Sequence, residues 1–248
     1  MQKNITLHTV ADYAALSTLA AKIFVQTVAN HPAAAYGFAT GGTAEGLYQE
    51  LVKMSQTREI NLSQITAFNL DEYVPIAPDS PQSYAYYMAT KLFDAAGVPA
   101  ANRNIPRGDA PCPVTEAAAY EEKITASGGI KLQILGIGNN GHIAFNEPTD
   151  TFAGKTSHVE LAQATIDANA RYFSNKDEVP KHAISMGMQT IMMSEQIMML
   201  ASGEGKAEIL HKALTGPITP QVPASVLQLH RNVIVIADQA AAKYFDKQ

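Results

Sequence analysis

Apolar and polar positions alternate along the chain in two patterns, short strand-like runs and longer helical stripes. Residues 12–30 place Tyr13, Leu16, Ala20 and Phe24 at helical spacing, which predicts an amphipathic helix. Short apolar runs predict strands at residues 35–39, 65–70, 131–135, 196–201 and 232–237. Because strands alternate with helices, we expect an α/β fold whose mostly parallel sheet carries helices on both faces.

The same alternation continues through all 248 residues without an internal repeat or a low-complexity tract. We therefore expect residues 1–248 to form a single domain. The segment 149–182 is more polar and less periodic than the rest of the chain. We expect this segment to form a mobile cover over a functional site.

Composition excludes several classes of protein. The formal net charge of -5 argues against binding of nucleic acid or an anionic membrane by bulk electrostatics. The single cysteine, Cys112, cannot form an intrachain disulfide or a cysteine-based zinc site. The N-terminal residues lack the apolar run of a signal peptide, and no apolar stretch is long enough to span a bilayer. We expect a cytoplasmic protein.

The first candidate ligand loop follows the strand at 35–39. Ligands of open α/β sheets sit at the carboxyl ends of strands, and this strand leads into Thr40, Gly41, Gly42 and Thr43 before a helical pattern. Glycines let the backbone approach an anion, and hydroxyls and free amides at a helix start can donate to phosphate. The alternative is an ordinary glycine turn with Thr43 as the helix N-cap. The loop is neither a Walker A sequence nor a dinucleotide fingerprint.

Two cations are further candidates for an anion site. A second glycine turn at residues 202–206 ends on Lys206, where a helix is predicted to begin. The dipole of a helix start disfavours a cation unless an anion is present there, so Lys206 is a candidate phosphate ligand. Arg171 is a candidate for a bidentate phosphate contact. A solvated lysine and a surface ion pair remain the alternatives for these two residues.

Two adjacent acids follow the strand at 65–70. Asp71 and Glu72 stand at its carboxyl end, where a carboxylate could abstract a proton from a bound substrate. A solvated acidic loop is an equal alternative.

A histidine loop is the strongest chemical signal in the chain. The strand at 131–135 leads into the run Gly136-Ile137-Gly138-Asn139-Asn140-Gly141-His142-Ile143-Ala144-Phe145-Asn146-Glu147-Pro148. Asn140 and Glu147 can hydrogen-bond the His142 imidazole, and a carboxylate on one ring nitrogen fixes the tautomer at the other. The run therefore favours a proton-shuttling histidine over a solvated one. No HExxH pair is present, so the sequence does not predict a zinc site.

These residues resemble a known family. The histidine run, together with Phe68-Asn69-Leu70-Asp71-Glu72-Tyr73, is similar to glucosamine-6-phosphate deaminase, and the likeness extends over nearly the whole chain. The resemblance implies a modified Rossmann-like fold and an enzyme of N-acetylglucosamine catabolism. Such an enzyme converts glucosamine 6-phosphate and water into fructose 6-phosphate and ammonia without a metal or organic cofactor.

The resemblance also implies roles for individual residues. His142, supported by Asn140 and Glu147, would open the sugar ring, and Asp71 would move a proton from the second carbon to the first. The matching implies phosphate contacts at Gly41, Gly42, Thr43, Arg171 and Lys206, and we expect Thr40 and Glu72 to bind the substrate as well.

This chain departs from many family members in two ways. Asn140 stands where many members carry aspartate, which removes a negative charge beside His142. The chain ends soon after Phe245, without the longer tail of the allosteric members. We therefore expect no activation by N-acetylglucosamine 6-phosphate.

Three other functions compete with this one. Galactosamine 6-phosphate could undergo the same chemistry, because nothing in the sequence fixes the configuration at the fourth carbon. 6-Phosphogluconolactonase shares the fold and the phosphate loop, but does not need the Asp-Glu-Tyr sequence for carbon deprotonation. A sugar-phosphate-sensing regulator would need a DNA-binding segment, and too few residues precede the first predicted strand at 35–39 to hold one.

Overall fold

The computed structural model describes residues 4–245, except for the side chain of Lys176. The strands are β1 (Ile5–Val10), β2 (Ala35–Phe38), β3 (Thr66–Asn69), β4 (Asp71–Val74), β5 (Arg103–Asn104), β6 (Ile130–Leu135), β7 (Ser157–Glu160), β8 (His182–Ser185), β9 (Gln196–Ala201) and β10 (Val233–Asp238). The helices are α1 (Tyr13–Asn30), α2 (Gly42–Gln56), α3 (Tyr84–Met88), α4 (Pro113–Ala126), α5 (Gln163–Asn169), α6 (Met188–Met192), α7 (Ala207–Thr215) and α8 (Gln239–Ala242).

The central sheet places four ligand loops at one edge. Over the described residues it has seven strands in the order β1-β10-β9-β6-β2-β3-β5, and every neighbouring pair is parallel. The strands β9, β6, β2 and β3 are consecutive in this order. Because parallel strands end at the same edge of a sheet, the loops that follow these four strands lie side by side.

Helices cover both faces of the sheet. Phe38 lies opposite Asn69 in the register of β2 and β3, whereas Phe68 is the preceding residue of β3. Side chains alternate along a strand, so Phe38 and Phe68 point to opposite faces. Phe24 of α1 packs on Phe38 with ring centroids 5.7 Å apart, and Tyr120 of α4 packs edge-on against Phe68 at 5.8 Å. The predicted mostly parallel α/β fold with helices on both faces is therefore confirmed.

The predicted strands of the central sheet are confirmed, with ends that differ by at most one residue. The helix predicted at 12–30 begins at Tyr13, because the Asp12 carboxylate accepts a hydrogen bond from the Ala15 amide at 2.8 Å and caps the first turn. The edge strand β1 was not predicted. It precedes the first predicted strand, at residues 35–39.

A second sheet was also missed by the sequence pattern. The strands β4, β8 and β7 form an antiparallel sheet, and β4 begins two residues after β3 ends. The chain therefore leaves the central sheet at Leu70, where the prediction continued one strand to residue 70. This break places Asp71 and Glu72 in a strand instead of on a loop.

Among residues 4–245, no helix is both long and apolar enough to cross a membrane.

Candidate active site

The loops at the carboxyl edge of the central sheet surround one cavity of about 760 Å³. Thr40 to Thr43 contribute from the segment after β2, Asp71 from the start of β4, and Gly136 to Asn140 together with His142 from the loop after β6. Lys206 comes from the loop after β9. The structure thus brings together predicted residues from four separate parts of the chain on the wall of one cavity, including the candidate base and the candidate proton shuttle.

The loop after β2 has the geometry of an anion cradle. Gly41 adopts φ +111, which favours glycine, and α2 begins at Gly42. Gly41 is the N-cap, and no side chain among the described residues caps the helix, so the alternative with Thr43 as the cap is wrong. A Cβ built on Gly41 or Gly42 would meet nothing within 4 Å, so the backbone faces open space. First-turn amides of a helix lack partners within the helix and can donate to an anion.

The second glycine turn contributes a side chain instead of a backbone cradle. The buried Asp238 carboxylate accepts hydrogen bonds from the Gly203 amide at 2.9 Å and from the Ser202 hydroxyl at 2.5 Å. Because Asp238 occupies that amide, Gly203 has no free backbone donor for an anion. Lys206 lines the cavity, and its Nζ donates to Asn139 Oδ1 at 2.6 Å. Partial burial lowers the pKa of Lys206 from its ordinary value.

Arg171 also lines the cavity. It follows α5 in a 3₁₀ turn at Ala170–Tyr172, and its side chain is exposed. Its guanidinium donates to the Tyr172 hydroxyl at 2.9 Å and lies 4.7 Å from the centroid of that ring. Within the segment 149–182, residues from α5 and the turns after it, including Thr165, also line the cavity.

Asp71 is a buried carboxyl group on the cavity wall, with 6% of its surface exposed. Burial and, as the second cause, the negative charge of neighbouring Glu72 together raise the pKa of Asp71 to about 8. A carboxylate normally titrates near pH 4, so this site makes Asp71 a much stronger base than an exposed acid.

Glu72 lies beside Asp71 but does not line the cavity. Successive side chains of β4 point to opposite faces, and the Glu72 carboxylate accepts hydrogen bonds from the amides of Tyr73, Tyr84 and Ala85 at 2.9–3.0 Å. Burial raises the pKa of Glu72 to about 7, and these amides act to lower it. The structure thus places Glu72 off the cavity wall, where it anchors the start of α3.

His142 and Glu147 form the second polar group of the site. His142 Nδ1 lies 3.3 Å from Glu147 Oε1, within ion-pair distance but without the alignment of a full hydrogen bond. Catalytic hydrogen bonds are often long in the absence of substrate. Asn140 Nδ2 donates to Glu147 Oε2 at 2.6 Å, and Thr165 Oγ1 donates to Oε1.

The environment of Glu147 is opposite to that of Asp71. Burial acts to raise the pKa of Glu147, but it is outweighed by the close contact and charge of His142 together with the hydrogen bonds from Thr165 and Asn140. Together they lower the pKa of Glu147 to about 2. Glu147 therefore stays ionised beside the imidazole at neutral pH. It lies behind His142 and does not line the cavity itself.

Glycine at position 138 makes room for the imidazole. A Cβ at Gly138 would lie 2.4 Å from His142 Nε2, so a larger residue would displace the ring. The Gly138 amide donates to the His142 carbonyl at 2.9 Å and closes the loop.

An aromatic wall was not predicted from the sequence. Tyr73, Tyr84, Phe145 and Phe173 line the cavity, with Tyr73 and Tyr84 4.8 Å apart and Tyr84 stacked on Phe145 at 6.3 Å. These rings come from four separate segments, and no local pattern marks them as neighbours. They supply the apolar surroundings that favour the protonated form of Asp71.

Comparison with known proteins places this site in a family. The family model for glucosamine-6-phosphate isomerases/6-phosphogluconolactonase matches residues 9–236. A glucosamine-6-phosphate deaminase of Clostridium acetobutylicum is 47% identical over 235 residues, covering 95% of this chain and 98% of that protein. One from Clostridium perfringens is 45% identical over 232 residues, covering 94% and 96%.

Solved structures agree with the sequence relatives. A monomeric glucosamine-6-phosphate deaminase has a TM-score of 0.92 and 42% identity, covering 97% of this chain and 99% of that one. A 6-phosphogluconolactonase from Trypanosoma cruzi has a TM-score of 0.78 at 17% identity, covering 98% and 97%, which shows the shared fold alone. Since the family model spans most of the chain and the relatives align over nearly their whole length, this chain belongs to the glucosamine-6-phosphate isomerase/6-phosphogluconolactonase family.

Proposed function

We propose that this chain is a glucosamine-6-phosphate deaminase, which converts glucosamine 6-phosphate and water into fructose 6-phosphate and ammonia. The observation that carries this function is the shared cavity of Asp71, His142 and the Thr40–Thr43 loop, which holds a strong base, a proton shuttle and an anion cradle together. The deaminase relatives, which align over nearly the whole chain at 45–47% identity, support the same reaction. The lactonase alternative is not favoured, because the lactonase structure at 17% identity supports only the fold.

Phosphate binding fixes the substrate at one end of the cavity. The hydroxyls of Thr40 and Thr43 and the amides at the start of α2 donate to the phosphate oxygens. Lys206 supplies a positive charge from the loop after β9, and Arg171 supplies another from the turn after α5.

His142, together with Asn140 and Glu147, opens the sugar ring. His142 takes the proton from the anomeric hydroxyl and gives a proton to the ring oxygen, so the bond between the first carbon and the ring oxygen breaks and an aldehyde forms. Glu147 stays ionised throughout and stabilises the imidazolium that exists between the two transfers. Asn140 holds the far oxygen of that carboxylate.

Isomerisation and loss of ammonia follow at Asp71. The carboxylate takes the proton from the second carbon and returns it to the first, while a proton passes from the nitrogen to the former aldehyde oxygen. The product is the imine of fructose 6-phosphate. Water adds to this imine, and ammonia leaves to give the ketone. Each positioned acid or base of this kind contributes about 10²- to 10⁴-fold in rate.

A panel of sugar phosphates tests the assigned reaction. The chain should release ammonia from glucosamine 6-phosphate and should not hydrolyse 6-phosphogluconolactone. Galactosamine 6-phosphate, measured in parallel, determines the preference at the fourth carbon. Lactone hydrolysis without ammonia release would refute the proposal.

We also propose that the segment 149–182 acts as a mobile cover and that the enzyme works in the cytoplasm. Arg171 and Tyr172 are exposed at the cavity mouth, where a bound phosphate would attract the guanidinium inward.

A phosphorylated sugar carries charge and does not cross a bilayer freely. This supports a cytoplasmic enzyme, in the compartment where the sugar phosphate is made.

Asp71→Asn should reduce kcat by about 10²- to 10⁴-fold, because an amide cannot accept the proton from carbon. Steady-state ammonia release measures this loss, and binding of inorganic phosphate by calorimetry should be nearly unchanged. The melting temperature above pH 8 should not fall, since the raised pKa of Asp71 shows that its ionised form destabilises the fold there. Asp79→Asn, at an exposed acid, is the matched control. Turnover retained in Asp71→Asn would remove Asp71 as the base.

The pH profile of kcat/KM should show an acid limb near pH 8. Asp71 must be ionised to act, so activity falls about tenfold per pH unit below its raised pKa. Glu72→Gln should move this limb to lower pH, because the variant lacks the negative charge that raises the pKa of Asp71. Titration of the substrate amine would not respond to this substitution. An acid limb that stays in place in Glu72→Gln would contradict the assignment.

Lys206→Met should raise KM by about 10- to 100-fold, the effect of losing one hydrogen bond to a charged group, with a smaller change in kcat. Lys212→Met is the control, because Lys212 lies on α7 and pairs with exposed Glu208. Equal KM values in the two variants would remove Lys206 from the phosphate site.

Tyr172→Trp should report movement of the cover. The chain has no tryptophan, so the variant contains a single indole at the cavity mouth. Its emission should shift when glucosamine 6-phosphate is added to the inactive double variant with Asp71→Asn. Tyr86→Trp, at another exposed tyrosine outside the cavity lining, is the control. An emission spectrum of Tyr172→Trp that the ligand leaves unchanged would argue for a fixed segment.

A further inference from the structure

Thr165 is the contact between the cover segment and the proton shuttle. Asn140, His142 and Glu147 all belong to the loop after β6, so their contacts are made within one short stretch of chain. The Thr165 hydroxyl comes from α5 and donates to Glu147 Oε1, and its side chain is buried, with 8% of the residue exposed.

That hydroxyl shares its acceptor with His142. Oε1 of Glu147 receives the Thr165 proton and is also the oxygen nearest to His142 Nδ1, at 3.3 Å. Asn140 holds the other oxygen, Oε2, at 2.6 Å. The terminal torsion of a glutamate is broad, so one hydrogen bond leaves the carboxylate plane free to rotate. Donors on both oxygens fix the plane and aim Oε1 at the imidazole.

The same helix leads to a candidate phosphate ligand. Arg171 lies two residues beyond the end of α5, and Ala164 and Ala168 of α5 line the cavity. The position of α5 therefore affects both Arg171 and the Thr165 contact to Glu147. Near its start, the segment 149–182 has a different contact: the Glu121 carboxylate accepts hydrogen bonds from the hydroxyls of Thr156 and Thr190.

We propose that Thr165 is a positioning residue for ring opening, whose hydroxyl fixes Glu147 against His142 when α5 lies over the cavity. The inference rests on the proposed deaminase function and deepens it. Thr165 exchanges no proton with the substrate. It links the position of α5, which precedes Arg171, to the orientation of Glu147 beside His142. The sugar ring therefore opens only when α5 lies over the cavity.

Thr165→Val tests this role, because valine keeps the shape of the side chain and removes the donor. We expect kcat for glucosamine 6-phosphate to fall by about 10- to 100-fold, the usual effect of removing a group that orients a catalytic one. KM should change by less than about threefold, as for an interaction needed in the reaction step more than in binding. Thr165→Ser should restore kcat, because serine retains the hydroxyl donor.

Two further measurements separate positioning from a structural effect. The open-chain compound 2-amino-2-deoxyglucitol 6-phosphate needs no ring opening, so Thr165→Val should bind it as tightly as the parent chain. Adding Thr165→Val to Glu147→Gln should cause little further loss, because the carboxylate it orients is already absent. Thr27→Val is the matched control, since it removes a threonine hydroxyl that donates to the Ile23 carbonyl at 2.8 Å on α1, outside the cavity and away from the segment 149–182, and should leave kcat unchanged.

Each outcome has a defined meaning. An unchanged kcat in Thr165→Val, or an equal loss in the serine and valine variants, would overturn the positioning role. Weaker binding of the open-chain compound in step with kcat would assign Thr165 to the fold of the segment instead. If valine prevents folding, Thr165→Ala and Thr165→Ser provide the same comparison. Absence of ammonia release by the parent chain would refute the proposed function itself, a result distinct from any difference among the variants.

Discussion

The site depends on the parallel alignment of four neighbouring strands. Because β9, β6, β2 and β3 end at one edge, the loops that follow them are forced against each other, although they are separated by long stretches of sequence. Backbone hydrogen bonds between the strands fix the register, so each loop leaves the sheet at a set height. The same constraint that builds the core therefore positions the anion cradle, the lysine and the histidine loop.

Two carboxylates in this site have opposite electrostatic environments. Asp71 has apolar rings and a second acid near it, so its pKa rises to about 8, whereas Glu147 has two hydrogen-bond donors and the His142 imidazole beside it, and its pKa falls to about 2. Separation of this kind assigns acid and base roles to residues of the same chemistry. Asn140 contributes to it, because its amide donates to Glu147 where a second carboxylate would repel it. The pair can then serve proton abstraction and imidazolium stabilisation in one cavity.

Local sequence was sufficient for much of the fold and for the polar residues of the site. Short apolar runs and a helical stripe of apolar residues reflect burial of single elements, so they located the main strands of the central sheet and α1. Glycine-rich strand exits carry their own signal, which is why the loops containing Gly41 and His142 were recognised. No such pattern marks the short strands of the second sheet. β4, for example, is separated from β3 by a single residue, so the sequence pattern does not distinguish the two strands.

The sequence by itself determined which residue types were available for acid–base chemistry and phosphate binding, and near which strand ends they lie. Tertiary structure decided which way each side chain points and what surrounds it. Glu72 faces the start of α3 because neighbouring strand residues alternate, and Gly203 is held by Asp238 from a distant strand. Thr165 reaches Glu147 only because α5 folds back over the sheet edge. Such contacts depend on long-range packing, which local propensity does not encode.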